Sequence, residues 1–343
     1  MKFFNTPFPS LFTALLLSTF AAQVSADELF GSDEVIDITL EAPFGQIRED
    51  RDKDKEYPAQ LKFEGQTFNL EVEVRGNKRL QSMTCKNPPL WLDFDNEQID
   101  DTYFENQKKT KLVVLCRRGT VNYDYLRAEY LVYKLYEKVA PVYFKTRWVN
   151  ATYIEEDGST RTEPAFFIER KQRMAKRVDM DLVDLQSIDY QDLDLDVAAV
   201  LGLFNYVVAN PDFSLVSAMS GSCCHNAKLL KNEAGKYVPV LYDFDSAGVV
   251  DARYAVPNPS LPIKKVTQRL YRGYCIHNDN LPAARQRLLA AEQDFYSLIN
   301  DDPVLTNRYK KKMVRYLERS FAWITRDADF ESRIINECRG DLT

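Results

Sequence analysis

Five runs rich in β-branched and aromatic residues, VIDITLEA, YPAQLKF, TFNLEVEVRG, PPLWLDF and KLVVLC, follow one another early in the chain, several of them separated by Gly, Pro or charged turns. Apolar residues at period two are what a half-buried strand needs, so this part predicts a mostly antiparallel sheet. NYDYLRAEYLVYKLYEKV, residues 122–139, breaks that pattern: Leu126, Tyr130, Tyr133 and Leu135 recur near helical spacing, and Pro141 follows as a stop. Two more strands, RWVNATYIE and PAFFIER, flank the turn EDGS. Beyond Arg170 the period becomes helical. LDVAAVLGLFNYVVAN, residues 195–210, is the most apolar helix and ends at Pro211, and the tail from Leu281 to Ile335 interleaves polar and apolar residues. The expected fold is α+β and bilobal: a β-rich lobe with one helix over residues 27–170, then a mainly helical lobe over 171–343.

The first 26 residues predict an export signal, with Lys2, the apolar LFTALLLSTFAA and small residues at Val24-Ser25-Ala26. That apolar segment falls short of the roughly 20 residues a bilayer span requires. A secreted or periplasmic protein, with no integral membrane segment once the signal is cleaved, is therefore expected. Six cysteines in an exported chain predict disulfides. Cys85 with Cys116, and Cys223 or Cys224 with Cys275, are the expected pairs among fifteen possible full pairings, because adjacent cysteines bridge with difficulty. Two histidines and no pair of CxxC knuckles argue against zinc. The net charge of −6 and the lack of a basic stripe argue against nucleic acid.

CCHNAKLLKNEAGKYVPVLYDFDSAG, residues 223–248, predicts two short strands, KLL and YVPVLYDFD, turned at Gly235. On a strand, Asp243 and Asp245 share a face while Phe244 points into the core. Two carboxylates and the amide of Asn226 are oxygen donors of the kind a hard cation such as Mg2+ or Mn2+ takes. The order of parts, a helix inside a β-rich lobe, a buried helix, a loop with Asp and Asn, then a hairpin ending in Asp, is that of a protein-kinase-like fold. In that order Asp212 of Asn210-Pro211-Asp212 is the catalytic residue, and Asn226, Asp243 and Asp245 hold metal on the phosphates. His225 is expected to hydrogen-bond the loop.

On these segments the sequence resembles the CotH family of atypical, secreted or spore-coat protein kinases. Asn210-Pro211-Asp212, His225-Asn226 and the Val238–Asp245 segment resemble its Asn-x-Asp, His-Asn and Pro-Trp-Asp-x-Asp segments. Arg75-Gly76-Asn77 followed by Lys86 resembles its Arg-Gly-Ser segment and lysine-rich strand. The resemblance implies transfer of phosphoryl from ATP, with Mg2+ or Mn2+, to Ser or Thr hydroxyls of a protein substrate. It places Asp212 as acid-base residue and Asp243 on the metal. Arg75 and a lysine, either Lys86 or Lys111, would hold the nucleotide phosphates, with Glu129 as the helix carboxylate that holds the lysine. The sequence departs from the pattern in two places: fourteen positions separate Asp212 from Asn226, and the family tryptophan is absent. Other readings of the same residues are a non-catalytic surface or envelope binding protein, a nucleotidyl transferase, and a metal-dependent phosphoester hydrolase.

Overall fold

A computed structural model of the chain describes Met1, residues 29–217 and residues 223–340. The export signal over residues 1–26 lies outside the described residues, apart from Met1. Strands β1 (Ile36–Glu41), β2 (Glu56–Phe63), β3 (Gln66–Val74), β4 (Leu90–Phe94), β5 (Lys109–Val114), β6 (Thr146–Ile154) and β7 (Thr160–Ile168) form a closed barrel in the order β1-β2-β3-β4-β5-β7-β6. Short helices α1 (Phe44–Asp50) and α2 (Asn96–Ile99) lie in its connections, and α3 (Thr120–Val139) runs between β5 and β6.

This closure corrects the expected bilobal, kinase-like fold with a β-sheet lobe. Every neighbouring pair in the barrel is antiparallel except β1 and β6, which pair in parallel from Ile36 opposite Val149 to Glu41 opposite Ile154. That pairing joins segments over a hundred residues apart and removes both sheet edges. The alternating side chains then fill the interior with Leu40, Leu61, Val72, Leu92, Val149 and Phe167, all buried.

The outer barrel face carries the second core. Every residue of α3 from Asp124 to Tyr136 is buried, because the helix is wedged between the barrel residues Trp148, Phe166 and Ile168 and the helical part of the chain. That part begins with α4 (Lys171–Arg177), β8 (Asp181–Val183) and α5 (Leu195–Val208), whose residues Val197–Val208 are all buried. Next come β9 (Ala227–Lys231) and β10 (Tyr237–Leu241), then α6 (Leu281–Ala290), α7 (Glu292–Asn300), α8 (Asn307–Thr325) and α9 (Asp327–Phe330). β10, β9 and β8 form a small antiparallel sheet, and Gly235, at φ 78°, makes its turn.

Three disulfides join Cys85 to Cys116, Cys223 to Cys224 and Cys275 to Cys338. The expected bridge from Cys223 or Cys224 to Cys275 is corrected: Arg339 bridges Tyr274, donating its N–H to the Gly273 carbonyl and accepting the Cys275 N–H, and so Cys275 is brought to Cys338. Three disulfides are compatible with a secreted or periplasmic protein. Among the described residues no helix is long and apolar enough to cross a membrane.

Candidate functional site

The α5 helix ends at Ala209, left-handed at φ 50°, whose N–H still bonds back to Asn205 and Tyr206. Its carbonyl accepts the Gly248 N–H at 2.7 Å. Buried Asn210 donates to the Asn205 side chain at 3.0 Å and accepts the Asp212 N–H at 3.3 Å. The Arg272 guanidinium donates to the carbonyls of Pro211 and Phe213. The loop that carries Asp212 is thereby held on both sides, and its carboxylate is left half-exposed.

Fourteen residues separate Asp212 from Asn226, yet the Asn226 amide donates to the Asp212 carbonyl at 2.8 Å and to its carboxylate at 3.2 Å. The chain folds back through Ser214, whose N–H donates to the His225 carbonyl at 3.0 Å. Adjacent Cys223 and Cys224 are buried at the base of this return, both sulfurs approaching the Leu215 carbonyl. His225 Nε2 meets Asp212 Oδ1 at 2.8 Å. Burial raises the Asp212 pKa, but the bonds from His225 and Asn226 outweigh it and hold the carboxyl below its ordinary value. The same contact raises the His225 pKa.

The hairpin register then brings in Asp243. The Tyr242 N–H bonds the Asn226 carbonyl at 3.0 Å, so Asn226 and Asp243 flank the last rung of the β9–β10 ladder. Both are left-handed, at φ 52° and 66°, a conformation Asn and Asp tolerate better than other non-glycine residues. Strand β10 ends at Leu241, so the two carboxylates do not share a strand face as expected; they lie on the turn that follows. The Tyr133 hydroxyl of α3 accepts the Asp243 N–H at 2.8 Å, and Phe244 is fully buried among Tyr133, Tyr136 and Phe204. Burial and the neighbouring Asp243 push the Asp245 carboxyl up to about 6.

Glu129 meets a different cation from the one expected. Its carboxylate lies 3.3 Å from the guanidinium of Arg79, which also donates to the Val114 carbonyl at 2.7 Å. Both side chains are buried. Burial drives the Glu129 carboxyl well up against the pull of Arg79, and Asp245 and Asp243 add to the push. The guanidinium stays charged in any protein environment, and its field reaches Asp245 and Asp243 as well as Glu129. Lys86 is exposed, its backbone carbonyl taken by Arg51. Lys111 of β5 is the lysine that feels Asp243, and burial together with Arg75, Lys228 and Lys171 holds its pKa well below the ordinary value.

The structure thus brings Asp212, Asn226, Asp243 and Asp245 together with Arg75, Lys111 and, through Arg79, Glu129. Lys86 is not drawn into this group. Sequence reasoning missed Arg79, whose only signal is its place in the charged run RGNKR, and Tyr133, which read as core. Among the described residues no three His, Cys, Asp or Glu side chains form a group able to hold a metal by themselves. Mg2+ and Mn2+ do not require one: Mg2+ typically takes one or two carboxylates and completes its shell with water and phosphate oxygens. Asp243 and Asp245 crowd each other, and Asn226 spends its N–H on Asp212 while keeping its oxygen; this donor set fits such an ion. No protein-family model matches the chain, and no curated protein matches it.

Proposed function

We propose that this protein transfers the γ-phosphoryl group of ATP to a Ser or Thr hydroxyl of a protein, in a secreted or periplasmic setting, as its resemblance to the CotH family implies. The observation that carries this reading is the hydrogen-bonded junction of Asp212 with Asn226 at the end of the hairpin that bears Asp243. The bond from the γ-phosphorus to the bridging oxygen breaks, a bond to the acceptor oxygen forms, and ADP leaves. Asp212 orients the acceptor hydroxyl and takes up its proton. His225 and Asn226 fix its carboxylate in one rotamer and keep it ionised before the reaction. A bound Mg2+ or Mn2+, held by Asp243, Asp245 and Asn226, would neutralise charge on the phosphate oxygens. The remaining catalysis is positioning and electrostatic stabilisation by residues already fixed in place.

The test is incubation of the mature protein with Mn2+ and γ-labelled ATP, with the protein itself and casein-like acceptors as substrates. Label transfer by the wild type, lost by roughly 10²-fold or more in Asp212→Ala and Asp243→Ala, is expected. Absence of both metal-dependent ATP binding and label transfer would overturn the reading.

A further inference from the structure

Helix α8 carries its charge against two of its own preferences. A helix favours anions in its first turn and cations in its last. The first turn of α8 holds no acid, its last turn holds no base, and Arg308, Lys310, Lys311 and Lys312 all stand near its start. Like charges three or four positions apart on a helix also repel. Arg308 and Lys311 are three apart, Lys311 and Arg315 four, and Arg315 and Arg319 four again. At about 3.6 residues per turn, these four fall within an arc of about 80° and run about 16 Å along the axis. All four are exposed, and none has an ion pair or side-chain hydrogen bond among the described residues. Lys312 beside them is neutralised by Asp251 at 2.8 Å, whereas Glu318, the one carboxylate of α8, pairs with none of the four.

A second element widens the face. Arg269 donates to Ser320 Oγ and to the Tyr316 carbonyl, both at 2.7 Å, and the Tyr316 hydroxyl donates to the Thr267 carbonyl at 2.8 Å. These bonds tie the segment bearing exposed Lys264 and Lys265 against α8. The fold thus assembles the basic stripe that the linear sequence lacks, because buried Tyr309, Met313 and Leu317 separate its members along the chain.

Repulsion within the stripe is relieved when an array of anions covers it. The array has to suit a ridge, since the stripe is the outer side of one helix and Ala322 is the one apolar side chain among the exposed residues of α8. A flexible acidic peptide would lose chain entropy here with no pocket to offset the loss. A plane of lipid headgroups suits a ridge, because anionic lipids attract each cation near the surface. Three disulfides, compatible with a secreted or periplasmic protein, fit a setting in which membranes face this surface.

We propose that the outer side of α8, through Arg308, Lys311, Arg315 and Arg319, docks the protein on membranes of anionic phospholipid, resting at the headgroups without inserting. This surface stands apart from the function proposed above and does not depend on it.

The experiment is co-sedimentation of the mature protein with vesicles of equal parts phosphatidylglycerol and phosphatidylcholine, and with vesicles of phosphatidylcholine alone. Wild type sediments with the first and not with the second, and high salt releases it. Arg315→Gln/Arg319→Gln weakens binding by roughly twentyfold. Lys62→Gln/Lys138→Gln removes the same charge from exposed positions on β2 and α3 and leaves binding unchanged. Thermal melts separate lost docking from lost folding, and the α8 variant melts no lower than wild type because it removes repulsion. No binding of wild type to the anionic vesicles overturns the proposal; retention on immobilised polyglutamate in that case gives the face to an acidic polypeptide. Undiminished vesicle binding by the folded Arg308→Gln/Lys311→Gln/Arg315→Gln/Arg319→Gln variant overturns it as well, since the contact then lies elsewhere on the molecule.

Discussion

Arg79 and Glu129 lie fifty positions apart in the sequence and 3.3 Å apart in space, and both side chains are buried. Two charges so placed are costly to separate, because removing one leaves the other buried and uncompensated. Glu129→Leu, which leaves the always-charged Arg79 guanidinium without its carboxyl partner, should therefore lower stability by about 3 to 5 kcal/mol, read as a shift of the urea midpoint. A change indistinguishable from that of an exposed control such as Glu41→Gln would mean the pair is not formed. The Tyr133 hydroxyl is a gentler probe. Tyr133→Phe keeps the ring against Phe244 and removes only the acceptor of the Asp243 N–H, a loss of about 1 to 2 kcal/mol. If that bond holds the Asp243 turn, Mn2+ affinity falls in this variant as well. Neither contact was legible in the sequence, since helical periodicity marks which face of α3 is buried but not which polar atom meets which.

At the level of elements, most strands were legible because their period-two patterns are local. The return of residues 214–226 was not: it depends on hydrogen bonds between Asp212, Ser214, His225 and Asn226 that only the fold-back creates. The loop bearing Asp212 is also clamped from the far side by Gly248. A Cβ added there would stand 2.4 Å from the Val266 carbonyl oxygen and 2.9 Å from Ala209 Cβ, the residue that caps α5. Since both neighbours are backbone or fixed to it, Gly248→Ala should cost about 2 to 3 kcal/mol. The displacement would fall on Ala209 and Asn210, three and two residues before Asp212. A thermal melt that matches wild type would show that this contact is slack.

At the scale of the molecule, barrel closure escaped sequence reasoning for a simple reason: the parallel pairing of β1 with β6 leaves no local mark, and both strands alternate as an antiparallel pair would. The helical core hides its own long-range device in His277, buried against Tyr274 with Tyr190 stacked on that same ring. Burial lowers its pKa from 6.5 to about 4, outweighing a contact with the Tyr190 backbone. Between those values the unfolded chain takes up a proton that the folded protein refuses. The contribution is thus fully present above pH 6.5 and is lost as the pH falls toward 4. Asp245, pushed up to about 6, acts with the opposite sign, so the wild-type curve alone does not isolate the histidine. Comparison with His277→Gln does. Measured by urea denaturation at pH 7.5 and pH 4.5, wild type should lose on the order of 2 kcal/mol more than the variant over that interval. Equal losses in the two proteins would show that His277 takes up its proton in the folded state at its ordinary pKa, and that the packing of Tyr274 around it admits the charge.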